Sequence, residues 1–450
     1  MSTARAEFSS RFGFLMAASG SAVGLGNVWG FPTNAASNGG AAFLFTYLLL
    51  VFILGYPALM AELIIGRHTR SNAVGALQQL SRGPVSRALG FVVGVAGIIT
   101  VSLILCFYSV VSGWMVAWMF GSLTGAFGLE GVTRWLTTDA TPRNAIFSVV
   151  FMAATVYVVR AGVREGIEKW STRLMPSLIV IMWLLIVYVL TLDGALDGLR
   201  VYLVPDFSRL ANPGLILSAL GQAFFSLSLG VGTMLIYGSY ISRQENLPVV
   251  GSMVALLDTG IACLAGLLVL PAMYVALANG VQIYDAGGAL IAGPQLIVVV
   301  LPALFESMGT TGTIIAIPFF LLLVIASLTS SISMLEAPVA YAVEAHGVRR
   351  TRAVLVLGAV ITAICLVIVF NFGLLFDLVV MITTEFSQPL LGLLFVVFAG
   401  WIWNRNSILE ELRQGNEGVE HSLFWKIWPF YVRFICPVII VAVYVQMIFF

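Results

Sequence analysis

The sequence predicts an all-α polytopic membrane protein. The 450-residue chain is 60% hydrophobic and only 10% charged. Its mean hydropathy is +1.02. Its apolar residues gather into eleven runs nearly free of charge, and a helix needs roughly 20 such residues to cross a bilayer. A soluble core of this length does not require that composition. The runs, numbered here as spans 1 to 11, fall at 12–33, 41–66, 88–121, 145–160, 173–192, 213–240, 247–277, 312–344, 352–370, 375–403 and 427–449.

Orientation follows from Lys and Arg near the span ends. With the N-terminus inside, only Arg134, Arg143, Arg200 and Arg209 of the 22 basic residues fall in outer segments, against 18 in inner ones. The N-terminus is therefore expected in the cytoplasm and Phe450 outside. No signal peptide is expected, because residues 1–11 are short and polar and no A-x-A pattern follows. A net charge of +1 with no basic tail gives no footing for nucleic acid. The cysteines Cys106, Cys263, Cys365 and Cys436 all lie in apolar runs and read as buried thiols. His68, His346 and His421 stand far apart in polar connections, which argues against a zinc site or a His-based triad.

Taken in order, span 1 reads Gly20-Ser21-Ala22-Val23-Gly24-Leu25-Gly26-Asn27, with three glycines at mid-membrane. The spacing is wrong for a nucleotide loop, and no strand precedes it. Span 2 carries Pro57 and Glu62. Span 5 begins with Gly166 and Pro176, ten residues apart. Span 6 reads Phe225-Ser226-Leu227-Ser228-Leu229-Gly230-Val231-Gly232, a second glycine cluster five spans after the first. Glycine in a helix costs up to about 1 kcal/mol and permits positive φ. Two such clusters suggest discontinuous helices in an inverted repeat around a midplane site, where broken ends offer carbonyls to cations and N–H groups to a carboxylate. Close packing of small residues is the simpler alternative.

Span 7 carries Asp258, span 8 carries Glu336, and span 10 carries Asp377 and Glu385. A charge at the bilayer centre costs on the order of 3 kcal/mol and needs a partner. None of these charges is basic, so cations, protons or backbone N–H groups are the expected partners. Glu62 is expected to accept from the broken span 6. Span 8 also holds Thr329-Ser330-Ser331, hydroxyls that suit a hard cation or cap the helix's own carbonyls. Two outer connections are long, 121–144 and 278–311. The second contains an amphipathic stretch, Gln295 to Leu304, that could form a partly helical lid.

These segments resemble the neurotransmitter:sodium symporter family over nearly the whole chain, from about Phe12 to Phe449. The most specific parts are Gly20 to Trp29, Phe31-Pro32, Asn38-Gly39-Gly40-Ala41-Ala42-Phe43, Phe224 to Gly232, and Leu328-Thr329-Ser330-Ser331. An eleven-span count is similar to the family's bacterial transporters of hydrophobic amino acids. The resemblance implies the LeuT fold, with helices 1 and 6 unwound at the midplane. It divides the chain into a cytoplasmic segment 1–11, a first repeat 12–192, a second repeat 193–403, and a cytoplasmic loop with the last helix at 404–450. It implies sodium-coupled import of hydrophobic L-amino acids, aliphatic and aromatic, by alternating access across the plasma or inner membrane. It implies no enzyme activity and no obligate protein partner. A channel, a membrane enzyme and a ligand-gated sensor are the rival classes. No H-E-x-x-H motif and no appended signalling domain favours the last two.

Carried over by position, the resemblance implies two sodium ions. The first would be held by Ala22, Asn27, Ser226 and the substrate carboxylate, with Asp258 where the family usually has an asparagine. The second would be held by the carbonyls of Gly20, Val23 and Ala326 and the hydroxyls of Thr329 and Ser330. Substrate would bind at Ala22, Gly24, Gly26, Tyr108, Phe225 and Ser228, its side chain lined by Ile104, Val231, Ser330 and Met334, with Met234 adapting to different ligands. Arg5, Glu344 and Tyr240 would close the inner gate, and Gly166 with Pro176 would let span 5 unwind. The chain departs from the family at Gly30, normally an arginine paired with the acid at Asp377. The Asp258 charge implies chloride independence, since the position bearing that charge in the family's bacterial prototype is the apolar Ala262.

Overall fold

The computed structural model describes residues 6–205, 210, 212–284, 290–291 and 296–449. Among these, nine helices are long and apolar enough to cross a bilayer: Ala41–Thr69, Pro84–Ala126, Thr141–Arg160, Val163–Val189, Leu247–Ala278, Gly309–His346, Arg350–Phe370, Phe372–Ile402 and Leu423–Ala442. They correspond to spans 2 to 5 and 7 to 11. Spans 1 and 6 are not continuous. Span 1 runs as Arg11–Ala22, capped by Ser10 accepting from the Gly13 N–H, and turns extended at Val23. It resumes through a π-helical turn, Gly26–Gly30, into Phe31–Ser37. Span 6 runs as Pro213–Ser226, leaves helical geometry, and resumes as Thr233–Ser239.

The local sequence explains the second break. Ser228, Gly230 and Gly232 take φ of 52°, 81° and 76°. Left-handed backbone is cheap for glycine and strained for serine. Ser228 is tied on both sides: its hydroxyl donates to the Ser21 carbonyl at 2.9 Å, and its carbonyl accepts from Thr233 Oγ1 at 3.1 Å. Gly230 is also a point of close approach. A Cβ there would lie 2.1 Å from the Gln388 carbonyl oxygen of span 10. Spans 2 and 6 likewise touch backbone to backbone, since a Cβ on Gly66 would lie 1.9 Å from the Leu235 oxygen.

Spans 3 and 8 are the longest helices and pack together along their length. With the two broken spans they form the buried centre. The expected lid stretch is helical where described: a π turn at Leu296–Val300 continues into Leu301–Ser307, while Gln295 lies outside the described residues.

At the end of the bundle where Arg11–Ala22 starts, the connection after span 10 grips span 2. Arg67 is fully buried. Its Nε donates to Glu411 Oε1 at 2.7 Å, and its Nη1 donates to the Glu245 carbonyl at 2.6 Å. Glu411 sits on the short helix Arg405–Arg413, and its second oxygen lies 3.2 Å from His68 Nδ1. Burial alone would raise the Glu411 carboxyl, but hydrogen bonds and charge from His68 and Arg67 overcome it and hold the carboxyl below its ordinary value.

Gly230→Ala should destabilise the detergent-solubilised protein by about 3 kcal/mol, because the methyl group meets backbone. An unchanged melting temperature would contradict the close contact. Glu411→Gln should cost about 3 kcal/mol at neutral pH by stranding a buried guanidinium. A carboxyl lowered by folding stabilises above its unfolded pKa of about 4.3 and loses that contribution as pH falls through its folded value. The gap between wild type and Glu411→Gln should therefore narrow on acidification, as followed by melting curves from pH 7 to pH 3.

Candidate functional site

The breaks in spans 1 and 6 face each other, and backbone released from helical pairing needs other partners there. Glu62 supplies one: its Oε1 accepts from the Gly230 N–H at 2.7 Å, as the sequence leads one to expect. Tyr108 of span 3 supplies another, its hydroxyl oxygen accepting from the Leu25 N–H at 3.0 Å. Asn27 Oδ1 accepts from the Gly24 N–H at 3.1 Å.

Around the first break the structure gathers Asn27, Ser226 and Asp258, all fully buried. Asn27 Nδ2 donates to Asp258 Oδ1 at 2.7 Å and to Ser226 Oγ at 2.9 Å. Ser226 Oγ donates to Asp258 Oδ2 at 2.8 Å, with Tyr47 OH 3.2 Å away. Sequence reasoning did not include Tyr47. A second oxygen cluster joins spans 1 and 8. Ser330 Oγ donates to the carbonyls of Gly20 and Val23, at 3.3 and 3.0 Å. Thr329 Oγ1 donates to the Ala326 carbonyl at 3.0 Å, and its Cβ lies 3.1 Å from where a Cβ on Gly20 would stand.

Ser330 of the second cluster, with Gly26 and Phe225 next in the chain to Asn27 and Ser226 of the first, lines a cavity of about 20 Å³, room for little more than one water. Of the expected substrate residues, Ala22, Gly26, Ile104, Tyr108, Phe225, Ser228, Val231, Ser330 and Met334 line it. Gly24 does not, but a Cβ there would lie 2.6 Å from both Ser330 Oγ and Tyr108 OH. Met234 is fully buried and does not line this cavity, whereas its neighbour Thr233 does. Ser21, Val101 and Gln388 line it too, and sequence reasoning missed them. Gln388 sits in a remote span, and a neutral amide there gives no charge signal of its own.

A vestibule of about 570 Å³ opens at the far end of the bundle. Gly26, Tyr108 and Phe225 line both spaces and so stand between them. Asp377 and Glu385 also line the vestibule, as does Gly30. Where a Cβ on Gly30 would stand, the nearest side chain is Gln222, at 3.3 Å. Gln222 donates to the Gly26 carbonyl at 2.7 Å and accepts from Asn34 at 3.1 Å.

The opposite passage is closed. Phe8 wedges against Phe14, Tyr237 and Tyr240 with ring centroids 5.5, 5.8 and 6.1 Å away. Arg5 lies outside the described residues. Glu344 Oε2 accepts from the Asn72 N–H at 2.7 Å and from Asn72 Nδ2 at 3.0 Å. The Tyr240 hydroxyl donates to Glu336 at 2.7 Å. Glu336 corrects the expectation that the span carboxylates lack basic partners, for Arg350 donates to both of its oxygens, at 3.0 and 2.5 Å. Arg350 opens the next helix, and in sequence it reads as an ordinary interfacial charge. Span 5 is wound: the π turn Val163–Glu168, containing Gly166, leads directly into Lys169–Val189, with Pro176 inside the helix. Glu168 accepts from Ser9 N and Oγ, at 2.8 and 2.6 Å, and so fastens this turn to the base of span 1.

Comparison with known proteins places this arrangement. The sodium:neurotransmitter symporter family matches residues 5–145 and 141–450. The uncharacterized sodium-dependent transporter YhdH of Bacillus subtilis is 34% identical over 98% of this chain and 97% of its own length. The sodium-dependent serotonin transporter of Drosophila melanogaster is 28% identical over 96% of this chain and 74% of its own length. The crystal structure of MhsT in complex with L-phenylalanine superposes with a TM-score of 0.83 at 38% identity, covering 98% of this chain and 99% of that one. Together the two interrupted spans, the oxygen clusters beside them and these matches establish that the chain belongs to the sodium:neurotransmitter symporter family and is a sodium-dependent membrane transporter with the LeuT-like fold of MhsT.

Proposed function

We propose that this symporter imports hydrophobic L-amino acids, aliphatic and aromatic, with two sodium ions per cycle and without chloride. The observation that carries the reading is the pair of buried oxygen clusters flanking one cavity at the breaks of spans 1 and 6. Hard cations take oxygen ligands. The first ion would sit among the Ala22 carbonyl, Asn27, Ser226, Asp258 and the substrate carboxylate. To ligate it, Asn27 turns its amide oxygen inward and releases the Gly24 N–H. The second would sit among the carbonyls of Gly20, Val23 and Ala326 and the hydroxyls of Thr329 and Ser330. Asp258 brings a full negative charge to the first site, which leaves no electrostatic need for a bound anion.

The amino acid carboxylate would take the N–H groups of the unwound span 1 near Gly26, and its amine the carbonyls near Ala22 and Phe225. The apolar wall of Ile104, Val231 and Met334 supports a hydrophobic side chain, as does the phenylalanine held by MhsT. A cavity this small admits substrate only when Phe225 and its neighbours separate. Shared use of the carboxylate by substrate and sodium makes each complete the other's site, which is thermodynamic coupling. Each ion crossing 100 mV releases about 2.3 kcal/mol, and a tenfold gradient adds about 1.4 kcal/mol. Two ions then supply roughly 7 kcal/mol, enough for about a 10⁵-fold substrate gradient.

The cycle is alternating access, with the N-terminus on the cytoplasmic side as the distribution of basic residues supports. The Phe8 wedge and the tie from Glu168 to Ser9 would release when the inner path opens, and span 5 would unwind between Gly166 and Pro176. Arg5 and Glu344 are assigned to the same inner gate.

Proteoliposomes should take up labelled leucine, phenylalanine and tryptophan. Replacing sodium by choline should stop uptake, and replacing chloride by gluconate should leave it unchanged. Uptake that persists in choline removes the sodium sites; uptake that needs chloride removes the role given to Asp258. Asn27→Ala and Thr329→Ala should each weaken sodium-dependent substrate binding by at least about tenfold, by loss of one ligand oxygen. Wild-type sodium affinity in both would refute the ligand assignments.

A further inference from the structure

We infer that Gln388 is a specificity residue that accepts a hydrogen bond from the substrate side chain, and that this protein favours aromatic amino acids bearing a donor, an indole N–H or a phenol O–H. The inference rests on the amino acid reading above and adds the substrate's polar end to it.

Gln388 opens the helix Gln388–Val397 in span 10. It lines the central cavity and is 2% exposed. Its backbone is fixed, since the carbonyl presses on Gly230 too closely for any side chain there. Its amide orientation is favoured by one contact. The Phe224 carbonyl can only accept, and Gln388 Nε2 donates to it at 3.4 Å. The oxygen Oε1 is buried and has no hydrogen-bond partner among the described residues. The cavity's hydroxyls are engaged: Ser228 with the Ser21 carbonyl, Thr233 with the Ser228 carbonyl, and Ser330 with the Gly20 and Val23 carbonyls. A carboxamide oxygen has two lone pairs and no proton, so its complement is an N–H or O–H.

Position favours the distal end of the substrate. Val101, Ile104 and Tyr108 of span 3 all line the cavity. Tyr108 marks the end beside the span 1 break, where it takes the Leu25 N–H. Val101 lies two turns away, roughly 10 Å along the helix. Gly97, one turn further, is 3.7 Å (measured from an added Cβ) from the Val231 oxygen and 4.0 Å from Phe395. Span 10 runs antiparallel to span 3, with Phe376 against Phe107 and Phe395 against Gly97, so Gln388, seven residues before Phe395, falls between those levels. An aromatic amino acid spans about that distance from carboxylate to ring edge. A purely aliphatic side chain would bury the Gln388 oxygen against carbon, and a buried polar group left unpaired is what a hydrogen-bonding site uses to reject its competitors.

The test measures kcat/KM for sodium-dependent uptake into proteoliposomes of the full chain. It uses two matched pairs: tyrosine with phenylalanine, and tryptophan with benzothienylalanine, in which sulfur replaces the indole N–H. Wild type should prefer the donor-bearing member of each pair roughly tenfold, the value of one neutral hydrogen bond. Gln388→Met, of similar volume, should bring both ratios to one or below. Wild-type ratios of one overturn the inference without any variant, so a Gln388→Met protein that fails to fold does not shield it. Ratios that survive in a folded Gln388→Met overturn it as well. Wild-type protein with no sodium-dependent uptake of any of the four removes the underlying transport reading, an outcome distinct from transport without preference.

Discussion

A polypeptide N–H inside a bilayer has no water to fall back on, and the rest of this structure depends on how that constraint is met where span 6 stops being a helix. The Gly230 N–H goes to Glu62, a carboxylate from a different span. Ser228, in a backbone region serine seldom visits, is held by bonds from its hydroxyl and its carbonyl. The Phe224 carbonyl receives the Leu229 N–H and the Gln388 amide. Glu62, Ser21 and Gln388 come from three other spans, so the broken turn is also the joint at which spans 1, 2, 6 and 10 meet. Unsatisfied backbone at this depth would cost several kcal/mol per group.

The two ends of the molecule are built on different principles. The end bearing Arg11–Ala22 is locked by charge and aromatic packing: Arg350 on Glu336, Arg70 on Glu7, and Phe8 among the tyrosines. The other end is a broad vestibule whose wall carries Asp377 and Glu385. Gln222 ties the Gly26 carbonyl to Asn34 there, so the turn beneath the vestibule is steadied by neutral amide bonds. A layer of Tyr108 and Phe225 divides vestibule from cavity.

The sequence made some of this readable and hid the rest for physical reasons. Mid-membrane glycines are rare enough in a helix to announce the breaks, and the lone carboxylate Glu62 announces a need for donors. Asn27, Ser226 and Asp258 come from three segments that meet only in the fold, and the family likeness was needed to group them. The Glu336–Arg350 pair was missed because an arginine at a helix start looks like any interfacial charge. Gln388 was missed because a neutral amide carries no periodic signature. Arg5 lies where the structure describes nothing.

The Arg67–Glu411 bond joins residues 344 apart in the chain. Ribosomes add about 5–20 residues per second, so roughly 20–70 s separate the synthesis of one partner from the other. Throughout that interval the nascent chain carries a guanidinium whose buried site is unfinished, at the margin of the second segment to enter the lipid. The Arg67 guanidinium reaches its buried partner only after residue 411 has been made. A chain that stopped short of residue 411 would leave the Arg67 guanidinium without its carboxylate partner.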